Sequence, residues 1–183
     1  MVQEKSCGLS EEQVLTTVHL LANYLREGKG LYGEGGQELC KERRLQLMSF
    51  FAPVLLDQVR TVELADRRIA NPEFYVQAKA SGCLELPDIT HMASVTFVDT
   101  IVFQGALEER ILFHELVHAT QIQLLGLKRY AELLVRGFVR TRSYFMVPMK
   151  AHAFELDARF AKNPRASFSV VEEVWKWAEG YRY

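Results

Sequence analysis

Two of the five histidines in this chain stand four residues apart, His114 and His118, with Glu115 directly after the first. On a helix, positions i and i+4 project from one face, so both imidazoles can reach a single metal ion. A glutamate one residue after the first histidine lies beside such a metal, not on it. There it can hold and deprotonate a metal-bound water. The motif sits in the apolar run ILFHELVHA. Burying an unpaired polar group costs about 1–3 kcal/mol, so histidines in such a run need partners. Those partners are either a metal or hydrogen-bonding neighbours in the core.

A catalytic zinc site usually takes three protein ligands and a water. The positions three and six residues after His118 are Gln121 and Leu124, so the glycine and histidine of the metzincin pattern are missing. The third ligand is then expected from a separate downstream helix. Pro148–Phe160 carries His152 and Glu155, which at i and i+3 share a face; Asp157 is expected to point elsewhere. Either His152 or Glu155 could complete the site, with the other behind it. Gln121, one turn beyond His118, is read either as a hydrogen-bond partner of a ligand or as a partly buried polar residue at the helix end.

HELVHATQ, a following helix, an aromatic-Met-Val-Pro segment and a last helix ending in ELDARF together resemble zincin metallopeptidases. In style they are nearest to the small gluzincin-like bacterial HExxH proteins, many of unassigned activity. In that group HELxHxxQ is followed by a Pro-Leu-Glu-x-Glu-Ala stretch whose glutamate is the third ligand. Set onto Pro148, the pattern puts His152 where the glutamate would stand, a departure that implies a three-histidine site. The resemblance covers about residues 94–160. It implies one Zn²⁺ per chain on His114, His118 and His152, with Glu155 as the alternative third ligand. It further implies a zinc-dependent hydrolase, most simply a metallopeptidase acting on a peptide or protein. In that reading Glu115 takes a proton from the metal-bound water and delivers it to the leaving amine. A strand in 94–103 is expected to lie along the cleft and align an extended substrate. Tyr144, Arg142 and His91 are candidate oxyanion helpers. The alternative is a catalytically inactive zinc-binding or interaction protein on the same fold. A 2-His-1-carboxylate oxygenase centre is a third reading, should Glu155 ligate iron.

These residues must be held by a scaffold, and 183 residues suffice for one domain with its own core. Hydrophobic residues make up 49% and charged residues 25%, which argues against disorder. Lys+Arg is 22 against Asp+Glu 23, so there is no overall field to draw nucleic acid or an anionic membrane. No run approaches the ~18 apolar residues of a membrane span. Cys7, Cys40 and Cys83 form neither a zinc-finger pattern nor a disulfide framework. With a polar N-terminus, the expected setting is cytoplasmic. The sequence leaves the oligomeric state open.

Along the chain, helical spacing predicts helices over 10–26 and 37–51, joined by a glycine-rich break at 28–36. Gly28, Gly30 and Gly33 match a dinucleotide-binding fingerprint literally, but they follow a helix and not a strand, so a flexible loop is expected. Strands are predicted at 58–65, 74–80 and 94–103, the last as one strand or as two broken at Asp99. An amphipathic helix over 106–125 carries the motif and stops at Gly126. Helices over 127–139, 149–161 and 169–179 follow. The basic run from Lys128 to Arg142 is read as a solvated helical face. A Cys7 thiolate capping the zinc is a minor possibility beside a free thiol. Trp175, Trp177, Tyr181 and Tyr183 are expected to pack on the body or on a second copy. Helices, then a small sheet, then helices gives an α+β fold in a single domain over 1–183. Residues 1–52 form its helical part; a small, mostly antiparallel zincin-like sheet and the metal helices occupy 94–160.

Overall fold

The first helix opens where Ser10 predicts it. The Ser10 hydroxyl accepts from the Gln13 amide, and the Gln13 side chain accepts from the Ser10 amide, a reciprocal cap that satisfies two end donors. The computed structural model describes residues 9–80 and 86–180. Cys7, Cys83, Tyr181 and Tyr183 therefore lie outside the described residues. In it α1 runs Glu11–Gly33, straight through the glycines expected to break it. The reason is close packing: a Cβ on Gly28 would lie 2.1 Å from Cδ1 of Phe97. Glycine lets α1 settle onto that ring, and the contact overrides a helix propensity about 1 kcal/mol worse than alanine.

In place of one helix over 37–51, the chain forms β1 (Gln37–Glu38), α2 (Lys41–Leu47) and, beyond Phe51, α3 (Pro53–Gln58). Pro53 fills the first turn of α3, where a missing N–H costs nothing. Strand β2 (Arg60–Glu63) falls inside the predicted span. The strand predicted at 74–80 is instead a helix, α4 (Phe74–Ala80). Phe, Tyr and Val favour strands, but the Pro72 and Glu73 carbonyls accept from the Tyr75 and Val76 amides. That starts a helical turn, which Gln-Ala-Lys-Ala continues.

The strong signal at 94–103 is two strands, β3 (Ser94–Phe97) and β4 (Thr100–Phe103), paired as a hairpin. Val98 makes the turn with φ 62°, a left-handed conformation that a β-branched residue adopts only under strain. The sheet order is β1-β2-β4-β3. The outer pairs are antiparallel and the central β2–β4 pair is parallel, so the expected mostly antiparallel sheet is mixed. The class is α+β, as expected.

Helices α5 (Glu109–Leu125), α6 (Leu127–Thr141), α7 (Pro148–Lys162) and α8 (Val170–Gly180) follow their predicted spans closely. Gly126, at φ 78°, ends α5. However, α5 is not amphipathic. Leu112, Phe113 and every residue from Glu115 to Ile122 are buried. Phe113 stacks on Phe160 at 4.2 Å and meets Phe50 and Phe51 edge-on, while other parts of α5 pack on β3, α6 and α8. A helix enclosed on all sides is a core element, and its polar side chains must find partners inside. On α6, Arg129 and Arg136 pair with Glu132, and Arg136 also reaches Glu11 of α1, in keeping with a solvated face. No described helix is long and apolar enough to cross a membrane.

Candidate functional site

On α5 the two motif imidazoles face each other, His114 Nε2 to His118 Nε2 at 3.1 Å. Each ring is fixed from behind. His114 Nδ1 donates to Asp157 Oδ2 at 2.8 Å, and His118 Nδ1 donates to Gln121 Oε1 at 2.8 Å. The Gln121 amide is oriented in turn, because its Nε2 donates to the Met149 carbonyl at 3.2 Å. Both Nδ1 atoms serve as donors, and the two Nε2 atoms face each other.

Asp157 is buried, 3% exposed. Burial pulls its pKa upward, but hydrogen bonds from His114 and Arg110 outweigh burial and hold it below the ordinary value. It therefore acts as a charged acceptor. The sequence reading placed Asp157 away from the site; the structure puts it directly behind His114. Residues 150 and 157 are seven apart on α7, two turns along one face, and that face lies against α5.

The other member of that face is Lys150. Its Nζ lies 3.0 Å from His118 Nε2 and 4.8 Å from the centre of the Tyr144 ring. Lys150 is 8% exposed, and it lines the same cleft as His114. His118 is fully buried; burial first, then the electrostatic influence of Lys150 and His114, presses its pKa well below the usual histidine value. It stays a neutral acceptor.

His152 is not brought to the pair. It stacks on Trp177 of α8, ring centres 5.4 Å apart and nearly parallel, with Nδ1 3.5 Å from the Gln121 amide nitrogen. Burial lowers its pKa. Glu155 is exposed on α7. Among the described residues no group of three His, Cys, Asp or Glu side chains converges as a metal cage. What meets at the pair is two imidazoles and the Lys150 amine.

Glu115 is 6% exposed. Its carboxyl oxygens accept from Ser94 Oγ at 2.8 Å and Thr96 Oγ1 at 2.5 Å. Both donors come from β3, which is how the sheet sets the glutamate. Ser94, Glu115, Tyr144 and Lys150 line two spaces at once. One is an open cleft of about 840 Å³ that also takes in His114, His91, Arg142 and Asp157. The other is an apolar cavity of about 110 Å³ reaching back to Tyr24, Ile89 and Leu134. Tyr144 begins a 3-10 turn, Tyr144–Met146. Burial, and next the Glu115 charge, push its phenol up, so it keeps its proton. Arg142 ends α6 at φ 55°, and His91 sits exposed at the rim, bound to Asp88.

Lys150, Ser94 and Thr96 escaped the sequence reading. Lys150 could have been found by extending the i, i+7 face back from Asp157; the two hydroxyls carry no local signal. Comparison of the chain with protein-family models, with curated proteins and with solved structures gives no match.

Proposed function

We propose that this chain is a metal-dependent hydrolase acting on peptide bonds, with His114 and His118 holding the ion and Glu115 as general base. One observation carries the reading: the two Nε2 atoms lie 3.1 Å apart while both Nδ1 atoms are tied to acceptors. When bound, zinc would supply a water acidified from pKa 15.7 to about 7 and would polarise a carbonyl.

The remaining work falls to the chain. The Ser94 and Thr96 hydroxyls aim the Glu115 carboxyl and limit its rotation. Its place on the wall of the open cleft lets it take a proton from a nucleophile there and pass it to the leaving amine. Lys150 and the protonated Tyr144 line the same wall. Both can donate to negative charge developing on a carbonyl oxygen. The apolar cavity beside them suits a large hydrophobic group next to the reacting bond.

A second reading, a non-catalytic zinc-binding or interaction protein, draws on Lys150, whose amine stands where a ligand would be sought. The test separates the two. Protein equilibrated with excess zinc is expected to hold about one zinc per chain and to cleave peptides with bulky apolar residues. Glu115→Gln should keep the zinc and lose cleavage by about 10²–10⁴-fold. Equal cleavage by Glu115→Gln and wild type would remove Glu115 as the base. Zinc content unchanged in both His114→Ala and His118→Ala would remove the site.

A further inference from the structure

We infer that the apolar cavity beside the histidine pair is a binding site for an apolar carboxylate. Lys150, Tyr130 and Tyr144 take the carboxylate, and the cavity takes the body of the molecule. The inference goes beyond the hydrolytic reading: neither a metal ion nor turnover enters it.

Its first ground is a buried amine without an acid. Lys150 is 8% exposed. Its Nζ meets His118 Nε2 at 3.0 Å and the face of the Tyr144 ring at 4.8 Å from the centre. An ammonium carries three N–H donors. Among the described residues no carboxylate lies within ion-pair distance of it. A buried cation is costly unless an opposite charge reaches it. Two phenols stand beside it. Tyr130 and Tyr144 line the same cavity, and the Tyr130 ring lies 6.2 Å from the His118 ring that Lys150 touches. Neither phenol oxygen has a hydrogen-bond partner among the described residues, and neither is shut away, so each opens onto space a ligand can reach. One ammonium and two hydroxyl donors match a planar, singly charged carboxylate.

Glu115 lines the cavity as well, and its charge opposes an anion. Its oxygens are held by the Ser94 and Thr96 hydroxyls of β3, which answer part of that charge. A doubly charged phosphate would meet a stronger repulsion there than a carboxylate does.

The second ground is the rest of the wall. Leu21 and Leu25 of α1, Val95 of β3, and Leu134 and Phe138 of α6 line it with hydrocarbon. Its volume is about 110 Å³. An apolar cavity of roughly 150 Å³ accepts benzene, so one ring or a chain of about six carbons suits this one. Ser94, Glu115, Tyr144 and Lys150 also line the open cleft, and a ligand reaches the cavity past them. Two sources carry such a carboxylate, a free acid and the last residue of a peptide.

The experiment is isothermal titration calorimetry on the full chain in a chelating buffer, so that no metal contributes. The probes are phenylpropionate, phenylpropanamide, propionate, and the peptide Ala-Ala-Phe. One phenylpropionate should bind per chain, at least about tenfold more tightly than phenylpropanamide or propionate. Lys150→Met should erase the preference for acid over amide. Glu115→Gln, which removes the opposing charge, should tighten the acid and leave the amide unchanged. Leu134→Trp, which fills the cavity, should weaken acid and amide alike. Val95→Phe fills it from the sheet side, and circular dichroism shows which of the two variants folds. Ala-Ala-Phe binding more tightly than phenylpropionate would name a peptide end as the source, and weaker binding a free acid. Equal binding of acid and amide by wild type, or an acid preference that survives in Lys150→Met, would overturn the carboxylate assignment. No binding of phenylpropionate by wild type, or binding untouched in the folded cavity-filling variant, would overturn the site. Each of these results leaves the hydrolytic reading to its own test of metal content and cleavage.

Discussion

Each imidazole at the centre of this protein is only as useful as the group behind it. Asp157 and Gln121 fix the two Nδ1 atoms as donors, and that turns the two Nε2 atoms toward each other. Asp157→Ala would leave His114 Nδ1 short of a partner inside a buried site, whereas the exposed Arg110 can turn to water. It should cost about 1–3 kcal/mol of stability and weaken zinc binding about 10–100-fold. Urea unfolding and a zinc titration on the same sample measure both; an unchanged titration would show that Asp157 serves folding alone. The histidine pair and Glu115 were readable from residue types and a four-residue spacing. Lys150 was not, because its importance comes from the imidazole it meets on another helix. Asp157 lies beyond a local reading for the same reason: its role comes from the imidazole it meets on α5.

Helix α1 shows how a single contact decides an element. Its glycines read as a break, yet the helix continues to Gly33 because Gly28 lies against Phe97. The two glycines at 28 and 30 therefore answer oppositely to the same change. Gly28→Ala should destabilise by about 1–3 kcal/mol through overpacking. Gly30→Ala, with nothing within 4 Å of its Cβ position, should stabilise by up to about 1 kcal/mol through helix propensity. Thermal melts of the two variants decide it, and equal shifts would mean that Phe97 does not confine α1. The α4 helix makes a related point. Its first residues favour a strand, but four residues of helix former after a proline turn win locally.

For the molecule as a whole, burying neutral histidines ties stability to pH. His118 has its pKa pressed well below 6.5 by burial and then by the electrostatic influence of Lys150 and His114, and His152 is lowered by burial. In the unfolded chain both take up protons near pH ~6.5. Below that pH the unfolded state binds more protons than the folded one, so stability is lost as pH falls. The slope reaches up to about 1.4 kcal/mol per pH unit for each histidine. Urea midpoints for the metal-free protein should drop between pH 7.5 and 5.5. His118→Gln should flatten that drop, and an identical slope in the variant would contradict the assignment. Aromatic packing of Phe113 with Phe50, Phe51, Phe160 and Phe168 holds the far side of α5, so the site helix is anchored by the core itself.

The order of elements in the carboxyl half, the motif helix with its glycine stop, the paired histidines and the α+β class were all present in the sequence, because each follows from local periodicity, capping and spacing. The path of α1, the parallel pairing at the centre of the sheet, the choice of Lys150 over His152 beside the imidazoles and the hydroxyls on Glu115 were decided only by the tertiary structure. Those features depend on contacts between residues far apart in the chain, and no local pattern records which face of one helix will meet which face of another.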